Sequence, residues 1–471
     1  GADNVAIGIN ALGAADTSNR NVAIGRAALG AYNPSGNEDG YHVAIGYDAL
    51  TTNSTATQNT AVGGLTLRAA TTGNLNTAVG YAAGTAVTTG VQNTLIGGLA
   101  GDASQTGDAN VAVGYLSFSS VATGDNNTAI GTRSMFSNTS GSENTGLGKD
   151  ALYSNTVGAY NVAVGEGALY SNVDGSRSVA IGRLALYTQD PASAVDMYNV
   201  GIGYDAGGKI TTGVQNTFVG ALAGDATDDG TNNVAVGFEA LSANCASSNV
   251  AVGCRAGKAI TGASNTVVGL SAGTNVSSGE HNTLIGKEAG TVIEAGDYNV
   301  IIGADSDSDH QNAQSRIVLG FGVENPTDNS VRIGSGGNFI SNTFTSNATW
   351  AHSSDERLKE NIQNDTLGLS FIKDLRPVTF TWKRQADVPE ELKSDARFEK
   401  ATGTHHGMIA QEVKSALDTA GVSTFTGWSS DEGDGTQLVS ESMFVYPLVK
   451  AVQELSTALD AALARIATLE G

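Results

Sequence analysis

A short pattern of larger and smaller apolar residues, Asn-Val-Ala-Ile-Gly, dominates the first two thirds of the chain. It stands at residues 4–8 and 21–25 and returns as Asn-Thr-Ala-Val-Gly at 59–63. Its closing glycine recurs every 17 residues, apart from two intervals of 16 and two of 21. Because the two longer intervals contain Pro34 and Pro191, we interpret their four extra residues as loops. The repeated glycines are Gly8, Gly25, Gly46, Gly63, Gly80, Gly97, Gly114, Gly131, Gly148, Gly165, Gly182, Gly203, Gly220, Gly237, Gly253, Gly269, Gly286 and Gly303.

The 17-residue period predicts one coil of a parallel β-solenoid, because it is too short for two helices but fits two short strands joined by tight turns. Side chains alternate along a strand, so we expect Val5 and Ile7 on one face and Ala6 on the other. The larger pair is expected to fill the coil interior, and the small alanine to let a neighbouring layer or subunit approach. A second, weaker strand is predicted in each coil, for example at 48–50 and 167–169.

Glycine and asparagine have predicted roles at the ends of each strand. Glycine permits the positive φ that a corner requires, and stacked asparagine side chains can hydrogen-bond from coil to coil. Weaker copies of the pattern at 316–320 and 331–334 extend the predicted β-roll over residues 1–334.

Composition and charge exclude several classes of protein. The chain has 61 Gly but only 6 Pro in 471 residues, with no three-residue period, which excludes collagen. Lys+Arg number 25 against 47 Asp+Glu, and the formal net charge of −22 argues against a nucleic-acid partner. No apolar run approaches the roughly 20 residues of a membrane span, so membrane insertion is not predicted.

A different domain is predicted after the roll. The three tryptophans, Trp350, Trp382 and Trp428, all lie in the last 122 residues. Residues 335–352, rich in Ser, Asn and Thr, are predicted to connect the roll to a domain spanning 353–471.

Three helices are predicted in this domain. Ser353 and Glu356 have the spacing of a capping box ahead of good helix formers. Residues 407–413 open a second helix, and Tyr446 and Pro447 open a third. Apolar residues in the third helix are spaced alternately by four and three, which predicts a coiled coil from about residue 446. The predicted trimerisation seam is Leu448, Val452, Leu455, Leu459, Ala462, Ile466 and Leu469.

The repeats resemble the left-handed parallel β-roll heads of trimeric bacterial autotransporter adhesins, over about residues 1–320. The resemblance implies a mainly β fold, a left-handed roll and a homotrimer in which three rolls pack side by side. This chain departs from those adhesins at its end, where residues 450–471 have one charged helical pattern.

The C-terminal segments resemble the intramolecular chaperone domain of phage endosialidases, tail spikes and tail fibres, also called the auto-cleaving endosialidase-type peptidase domain. The resemblance covers about residues 353–471 and implies an α+β domain that drives trimeric folding of the fibre before it. It also implies self-cleavage of the Ser353–Ser354 bond, with Ser354 as nucleophile and Lys359 as general base. The residues that meet the family motif are Ser354, Asp355, Arg357, Lys359 and Ile362, followed by Gly407, Gln411 and Glu412 in a Gly-x-Ile-Ala-Gln-Glu-Val element.

The Ser–Lys chemistry sets a condition on geometry. A serine needs a base to remove its proton, and a lysine can serve when desolvation lowers its pKa. On a regular helix, residues five apart point about 140° away from one another. Ser354 is therefore expected at or before the first turn, with Lys359 reaching back or across a subunit boundary. The sequence leaves the question of an enzyme open: at most it predicts a single-turnover self-cleaving serine peptidase, and no multiple-turnover activity.

An acidic run in the roll invites a calcium interpretation, which the sequence does not favour. Asp305, Asp307 and Asp309 alternate as in a calcium loop. However, His310 and Arg316 stand where an EF-hand needs Gly and Glu, so a solvated turn is favoured. No metal site and no cofactor are predicted.

Two further pairs of residues are expected to be structural. The adjacent His405 and His406 should point in different directions, so that structural packing or support of the Ser–Lys site is favoured over metal binding. Cys245 and Cys254 lie in adjacent coils and are expected to pack as small apolar residues.

These features predict a homotrimeric phage tail fibre or receptor-binding shaft, made in the host cytoplasm and located extracellularly on the virion. Its predicted partners are further copies of itself, a host surface glycan or protein receptor, and a virion baseplate or another fibre protein. One alternative is a bacterial cell-surface adhesin or filament component. A second is a polysaccharide-degrading tail spike, which needs two carboxylates flanking a cleft. Stacked coils could align Asp205 with Asp225, but nothing in the sequence singles out that pair.

Overall fold

The computed structural model describes residues 1–14, 17–104, 106–120, 122–344, 351–352, 356–383, 403–430 and 435–470. The chain divides into two compact units, Gly1–Ser353 and Ser354–Gly471, and each is described by itself.

The first unit is a parallel β-solenoid of the kind that the repeat predicts. Each coil adds one strand of three residues to a continuous parallel sheet, and equivalent residues pair in register, as Val5 does with Val22. The strands of this unit are β1 Val5–Ile7, β2 Val22–Ile24, β3 Val43–Ile45, β4 Thr60–Val62, β5 Thr77–Val79, β6 Thr94–Ile96, β7 Val111–Val113, β8 Thr128–Ile130, β9 Thr145–Leu147, β10 Val162–Val164, β11 Val179–Ile181, β12 Val200–Ile202, β13 Thr217–Val219, β14 Val234–Val236, β15 Val250–Val252, β16 Thr266–Val268, β17 Thr283–Ile285, β18 Val300–Ile302, β19 Asp307–Ser308, β20 Arg316–Phe321, β21 Glu324–Asn325, β22 Ser330–Ser335, β23 Asn338–Thr343 and β24 Ala351–His352.

The prediction of which strand residues fill the coil is wrong. The middle residue of each strand points inward, and Ala23 and Ala44 are fully buried. The first and third residues, such as Val22 and Ile24, face outward and are only partly buried. The coil has no room for two branched side chains from the strand, because its opposite side already supplies a large one.

That opposite side is a turn rather than the second strand predicted at 48–50 and 167–169. Asp48 and Leu50 have φ values of 54° and 52°, in the left-handed region, and such a backbone cannot form a β ladder. Ala49 and Leu50 are nevertheless fully buried and belong to the same core as the strand alanines.

Strand and turn share the core volume of each coil. Where the strand contributes alanine, a large apolar residue from a neighbouring turn fills the space, in most coils a leucine and in two coils Phe118 or Met135. Where the strand contributes Leu95 or Phe218, the adjacent turn residue is glycine. A Cβ added at Gly101 would lie 2.7 Å from the Leu95 side chain, and one at Gly224 would lie 2.6 Å from the Phe218 ring. A large side chain at one of these positions therefore requires a small residue at the other.

Corner glycines and an asparagine ladder connect the coils, and both predictions are confirmed. Gly165 has φ of 133°, and a Cβ there would lie 2.5 Å from the carbonyl oxygen of Gly182 in the next coil. The residue just before each strand, which is asparagine in most coils, occupies what we call the ladder position. The backbone N–H of Asn76 donates to Oδ1 of Asn59 at 2.8 Å, and Nδ2 of Asn76 donates to the carbonyl oxygen of Gly90 at 2.8 Å.

The last coils of the roll depart from this pattern. Arg316 takes the ladder position with its side chain 1% exposed, and its guanidinium donates to Asp309 and Asp328 at 2.7 Å each. β20 continues the parallel sheet to β22, which then pairs antiparallel with β23. Part of the predicted connector 335–352 is therefore strand.

The second unit has a small mixed core and one long helix. Its elements are α1 Leu369–Asp374, β25 Val378–Phe380, β26 His405–Gly407, α2 Ala410–Thr419, β27 Trp428–Ser430, β28 Gln437–Val439 and α3 Val445–Glu470. β25 pairs antiparallel with β26, and β27 with β28. Phe371, Leu417 and Phe444 are among its buried core residues. The two helices predicted near residues 407 and 446 are present as α2 and α3.

Candidate functional site

The roll carries an uninterrupted apolar strip along its sheet. We define the outward face as the first and third residues of β1–β18. The third residue is Ile, Val or Leu in each of these strands, and the first is Val or Thr. The third residues that are more than a third exposed are Ile7, Val79, Ile96, Ile130, Leu147, Ile181, Ile202, Val236, Val252 and Ile302.

A strip of this extent is unusual for a surface in contact with water. Monomeric proteins rarely expose contiguous apolar patches larger than a few hundred Å², and larger ones mark interaction sites. The branched side chains stand in register on a sheet, so they can interdigitate with a second face of the same kind. The outward face is thus the candidate association surface of the roll, whereas the alanine face, expected to have that role, lies in the core.

Helix α3 presents a second apolar surface. Its first turns are fastened to the unit, because Pro447 and Ala451 are buried and Glu454 accepts the N–H of Leu369 at 2.8 Å. Every residue of the predicted seam, from Leu448 to Leu469, is exposed. A seam that packs only against other copies of the chain would be exposed in a single chain. The coiled coil itself stays a prediction.

The predicted cleavage site lies only partly within the described residues. Ser353, Ser354 and Asp355 fall outside them. In the described part the predicted helix is wrong, because Glu356–Leu358 form one 3-10 turn. Residues 356–366 are exposed throughout, and a helix this short is unstable without packing.

The remaining motif residues form two groups. Arg357, Lys359 and Ile362 lie on the exposed segment. The Lys359 backbone N–H donates to the carbonyl oxygen of Glu356 at 3.0 Å, which closes the 3-10 turn. Lys359 therefore directly follows the turn, and its role as a general base stays a prediction.

The second group lies at a cleft of about 640 Å³ between β25, β26, β28 and the start of α2. Gly407 and Gln411 line it, and a Cβ at Gly407 would lie 3.3 Å from the Phe380 ring. Glu412 accepts from Nε of Arg376 at 3.0 Å, and this hydrogen bond lowers the pKa of the Glu412 carboxyl. These motif residues shape and brace the cleft wall.

The acidic run of the roll does not converge on one point. Asp305 lies 3.5 Å from the Lys287 ammonium, and Asp307 accepts from the Thr291 hydroxyl at 2.8 Å. Asp309 belongs to the ion pair with Arg316 already described. Across the described ranges, no group of three or more His, Cys, Asp or Glu is placed to hold a metal ion.

The histidine and cysteine pairs have separate environments. The His405 ring stacks on Phe380 at 5.7 Å between centroids, and His406 is exposed, so the two side chains point apart as expected. Cys245 is buried, but Cys254 is exposed because it follows a corner glycine on the surface. The packing expected of both cysteines is correct only for Cys245.

The carboxylates of Asp205 and Asp225 interact across adjacent coils. Burial, and then the charge of Asp225, raise the pKa of the Asp205 carboxyl. The Ser242 hydroxyl donates to Asp225. Polysaccharide cleavage by this pair stays a prediction.

Part of the second unit matches a known protein family. Residues 354–422 match a family model described as chaperone of endosialidase. Curated proteins and solved structures give no match. Within the described ranges, no helix is both long and apolar enough to cross a membrane. The matched segment includes Ser354, Lys359 and the motif residues of α2.

Proposed function

We propose that this chain is a homotrimeric phage tail fibre or receptor-binding shaft, folded and assembled by its C-terminal domain. The observation that carries the proposal is the outward face, an apolar strip whose residues are exposed or only partly buried in every strand from β1 to β18. Two or more copies packed through this face would remove it from water.

The C-terminal unit supports the same assembly. The exposed heptads of α3 supply a second self-association surface, and the match to a chaperone of endosialidase supports a domain that aligns copies while the fibre folds. Rolls of this kind have long parallel sheets, which form slowly. A coiled coil that aligns the copies at one end would therefore help their rolls to pack in the correct register. The number of copies, three, rests on the two family resemblances.

Self-cleavage at Ser353–Ser354 is part of the proposal. Lys359 would take the proton of Ser354, whose oxygen attacks the carbonyl carbon of Ser353. The Ser353–Ser354 peptide bond would break, and the proton would go to the leaving amine of Ser354. Hydrolysis of the ester by water would release the C-terminal domain after assembly.

The fibre would act outside the host cell, as part of the virion. One end would join a baseplate or another fibre protein, and the roll would contact a glycan or protein receptor on the host surface.

The assembly is tested by measuring the molar mass of the wild-type chain and of Ser354→Ala with light scattering after size-exclusion chromatography. For Ser354→Ala, which keeps its C-terminal domain, we expect about three times the 47.7 kDa of one chain. A mass of one chain at micromolar concentration would overturn the proposed function.

The cleavage step is tested on the same preparation by intact-mass spectrometry. We expect fragments of 353 and 118 residues from the wild type, and the uncut chain from Ser354→Ala and Lys359→Ala. A wild-type chain that remains uncut as a trimer would remove the peptidase step and leave the assembly step standing.

A further inference from the structure

Each 21-residue coil, together with the coil before it, carries the same three polar residues. Arg20, Asp39 and Tyr41 surround the loop that contains Pro34, and Arg177, Asp196 and Tyr198 surround the loop that contains Pro191. Corresponding residues are 157 positions apart. We call each set an Arg–Asp–Tyr triad.

The first triad is closed by hydrogen bonds. Nη1 of Arg20 donates to Oη of Tyr41 at 2.8 Å and also bonds to Oδ2 of Asp39. Oη of Tyr41 donates to the same carboxylate oxygen at 3.3 Å. The guanidinium carbon lies 5.6 Å from the centre of the Tyr41 ring.

The second triad shares the hydrogen bonds of arginine and tyrosine to the aspartate. Nε of Arg177 donates to Oδ1 of Asp196 at 2.8 Å, and Oη of Tyr198 donates to Oδ2 of Asp196 at 3.2 Å. Here the guanidinium lies over Tyr160, 5.0 Å from the ring centre. The first triad has Asp3 at the position of Tyr160, 3.9 Å from Arg20.

Both aspartates hold the same place in the register between coils. A parallel bridge pairs Asp39 with Asn19, and Asp196 with Ser176, of the preceding coil. Asn19 and Ser176 lie two residues before the ladder position, whereas the aspartates lie three residues before it, so each longer coil has one extra residue here. The repeated bridge fixes both carboxylates at the end of the inserted loop.

The Arg–Asp ion pair alone would be enough to hold the inserted loop in place. Each triad adds a tyrosine whose residue remains 50% exposed although its hydroxyl is held. An exposed ring held in one orientation, beside a carboxylate acceptor and a guanidinium donor, offers an apolar platform with polar groups at its edge. These are the groups that a sugar ring needs, since it has an apolar C–H face and hydroxyls around its rim.

We propose that the two triads are carbohydrate-binding subsites, each taking a sugar unit of a neutral polysaccharide. In each subsite Tyr41 or Tyr198 stacks on the sugar, and Asp39 or Asp196 accepts from its hydroxyls. The inference rests on the proposed function and names the ligand class of its receptor. A neutral ligand fits because the charges of arginine and aspartate cancel in each triad. An anionic polymer would also be repelled by the roll, which has 23 Asp and Glu against 11 Lys and Arg up to Gly303.

The spacing of the subsites favours binding to a polymer. They are nine coils apart, or roughly 43 Å at about 4.8 Å per coil. Two subsites on each chain would bind one long glycan or two neighbouring ones, so weak single contacts would add up to useful avidity.

The test uses the full chain and an array of immobilised linear glucan, galactan and mannan oligosaccharides, with polyglucuronate as an anionic comparison. We expect binding to at least one neutral glycan, and a loss of about tenfold or more in the Tyr41→Ala/Tyr198→Ala variant. Asp39→Asn/Asp196→Asn should weaken binding as well, because the amide replaces one acceptor oxygen with a donor. Each single-triad variant should retain part of the binding.

The matched control is Tyr298→Ala. Tyr298 occupies the same position before the ladder and is also exposed, but its ring stacks on His281, and the neighbouring carboxylate of Asp297 accepts the N–H of Glu280. This variant should bind like the wild type. Absence of binding to every neutral glycan, or full binding by the double tyrosine variant, would overturn the inference. The molar mass of the same samples reports the proposed assembly separately, so a trimer without glycan binding would refute the subsites alone.

Discussion

His42 stands at a ladder position, where most coils have asparagine. Its backbone N–H donates to Oδ1 of Asn21 at 3.1 Å, and its Nδ1 accepts the N–H of Asn59 at 3.2 Å. Its Nε2 lies 2.7 Å from the carbonyl oxygen of Ala56 and donates to it. One ring nitrogen accepts while the other donates, so the site fits the neutral ring, and burial lowers the pKa of His42 to about 4.

This geometry predicts a pH-dependent loss of stability. Because the pKa of His42 is about 4 in the folded roll and about 6.5 when unfolded, the unfolded chain binds the proton first. The contribution of the neutral His42 ring to the free energy of unfolding is complete above about pH 6.5 and declines toward pH 4. About 2 kcal/mol of it is lost at pH 5. In denaturant unfolding at pH 7.5 and 5, followed by circular dichroism, His42→Asn should lose about 2 kcal/mol less than the wild type. Equal losses would mean that His42 does not titrate in this range.

Arg316 ends the ladder, and we predict a local effect when it is removed. Arg316→Ala would leave Asp309 and Asp328 without their buried donor and should destabilise the last coils by about 3 kcal/mol. Hydrogen exchange of β20 and β22 should accelerate about 100-fold, with β2–β10 unchanged. Arg255→Ala, which removes an exposed pair with Glu239, is the control and should change neither region. Unchanged exchange in β20 and β22 would contradict the role given to Arg316.

The asparagine ladder and the corner glycines could be predicted from the sequence because the same residue types recur in coil after coil. The exceptions could not. His42 and Arg316 are visible as breaks in the pattern, but their partners Ala56 and Asp328 come from loops whose path a repeat period does not specify.

The position of each strand could be predicted from the sequence, but which of its residues face the core could not. A period of two separates Val22 and Ile24 from Ala23, but either face of such a strand could point inward. The choice depends on the opposite turn, which buries Leu29 completely and leaves room only for alanine. Because the sequence predicts a second strand in place of this turn, it gives no reason to expect Leu29 in the core or to exclude Val22 and Ile24 from it.

Shared core volume predicts compensation between strand and turn. Phe218→Ala should leave a cavity and cost about 3–5 kcal/mol, and Gly224→Leu should overpack against Phe218 and cost about 1–3 kcal/mol. The double variant recreates the alanine–leucine pair of other coils, and leucine already adopts the required φ at Leu50 and Leu169. Denaturant unfolding should show the double variant more stable than the sum of the single losses by at least about 1 kcal/mol. Strict additivity would contradict the shared volume.

The cleavage-site motif could be recognised from the sequence, but its local structure could not. A capping box and good helix formers predicted a helix from Ser353, whereas Glu356–Leu358 form one turn. Local propensity alone does not stabilise so short a helix, and the exposed segment 356–366 has no core to pack on.

Charge and apolar surface are separated over the roll as a whole. None of its acidic or basic residues falls on the outward face of β1–β18. An acidic roll repels its copies through long-range charge, and an apolar face free of charge lets them approach in one orientation. The same arrangement would keep the other faces of an assembled fibre soluble.

Thiol labelling of the full chain tests the outward face most directly. Ile181→Cys, with Cys254 replaced by serine, places a thiol in the middle of that face, and Ser140→Cys places one on an exposed turn as the control. In samples that light scattering identifies as trimers, we predict that Ile181→Cys reacts with a maleimide about 100-fold more slowly than Ser140→Cys, and that both react equally after denaturation. Equal rates in the native protein would mean that the outward face is open to water, and would contradict the assembly proposed for this chain.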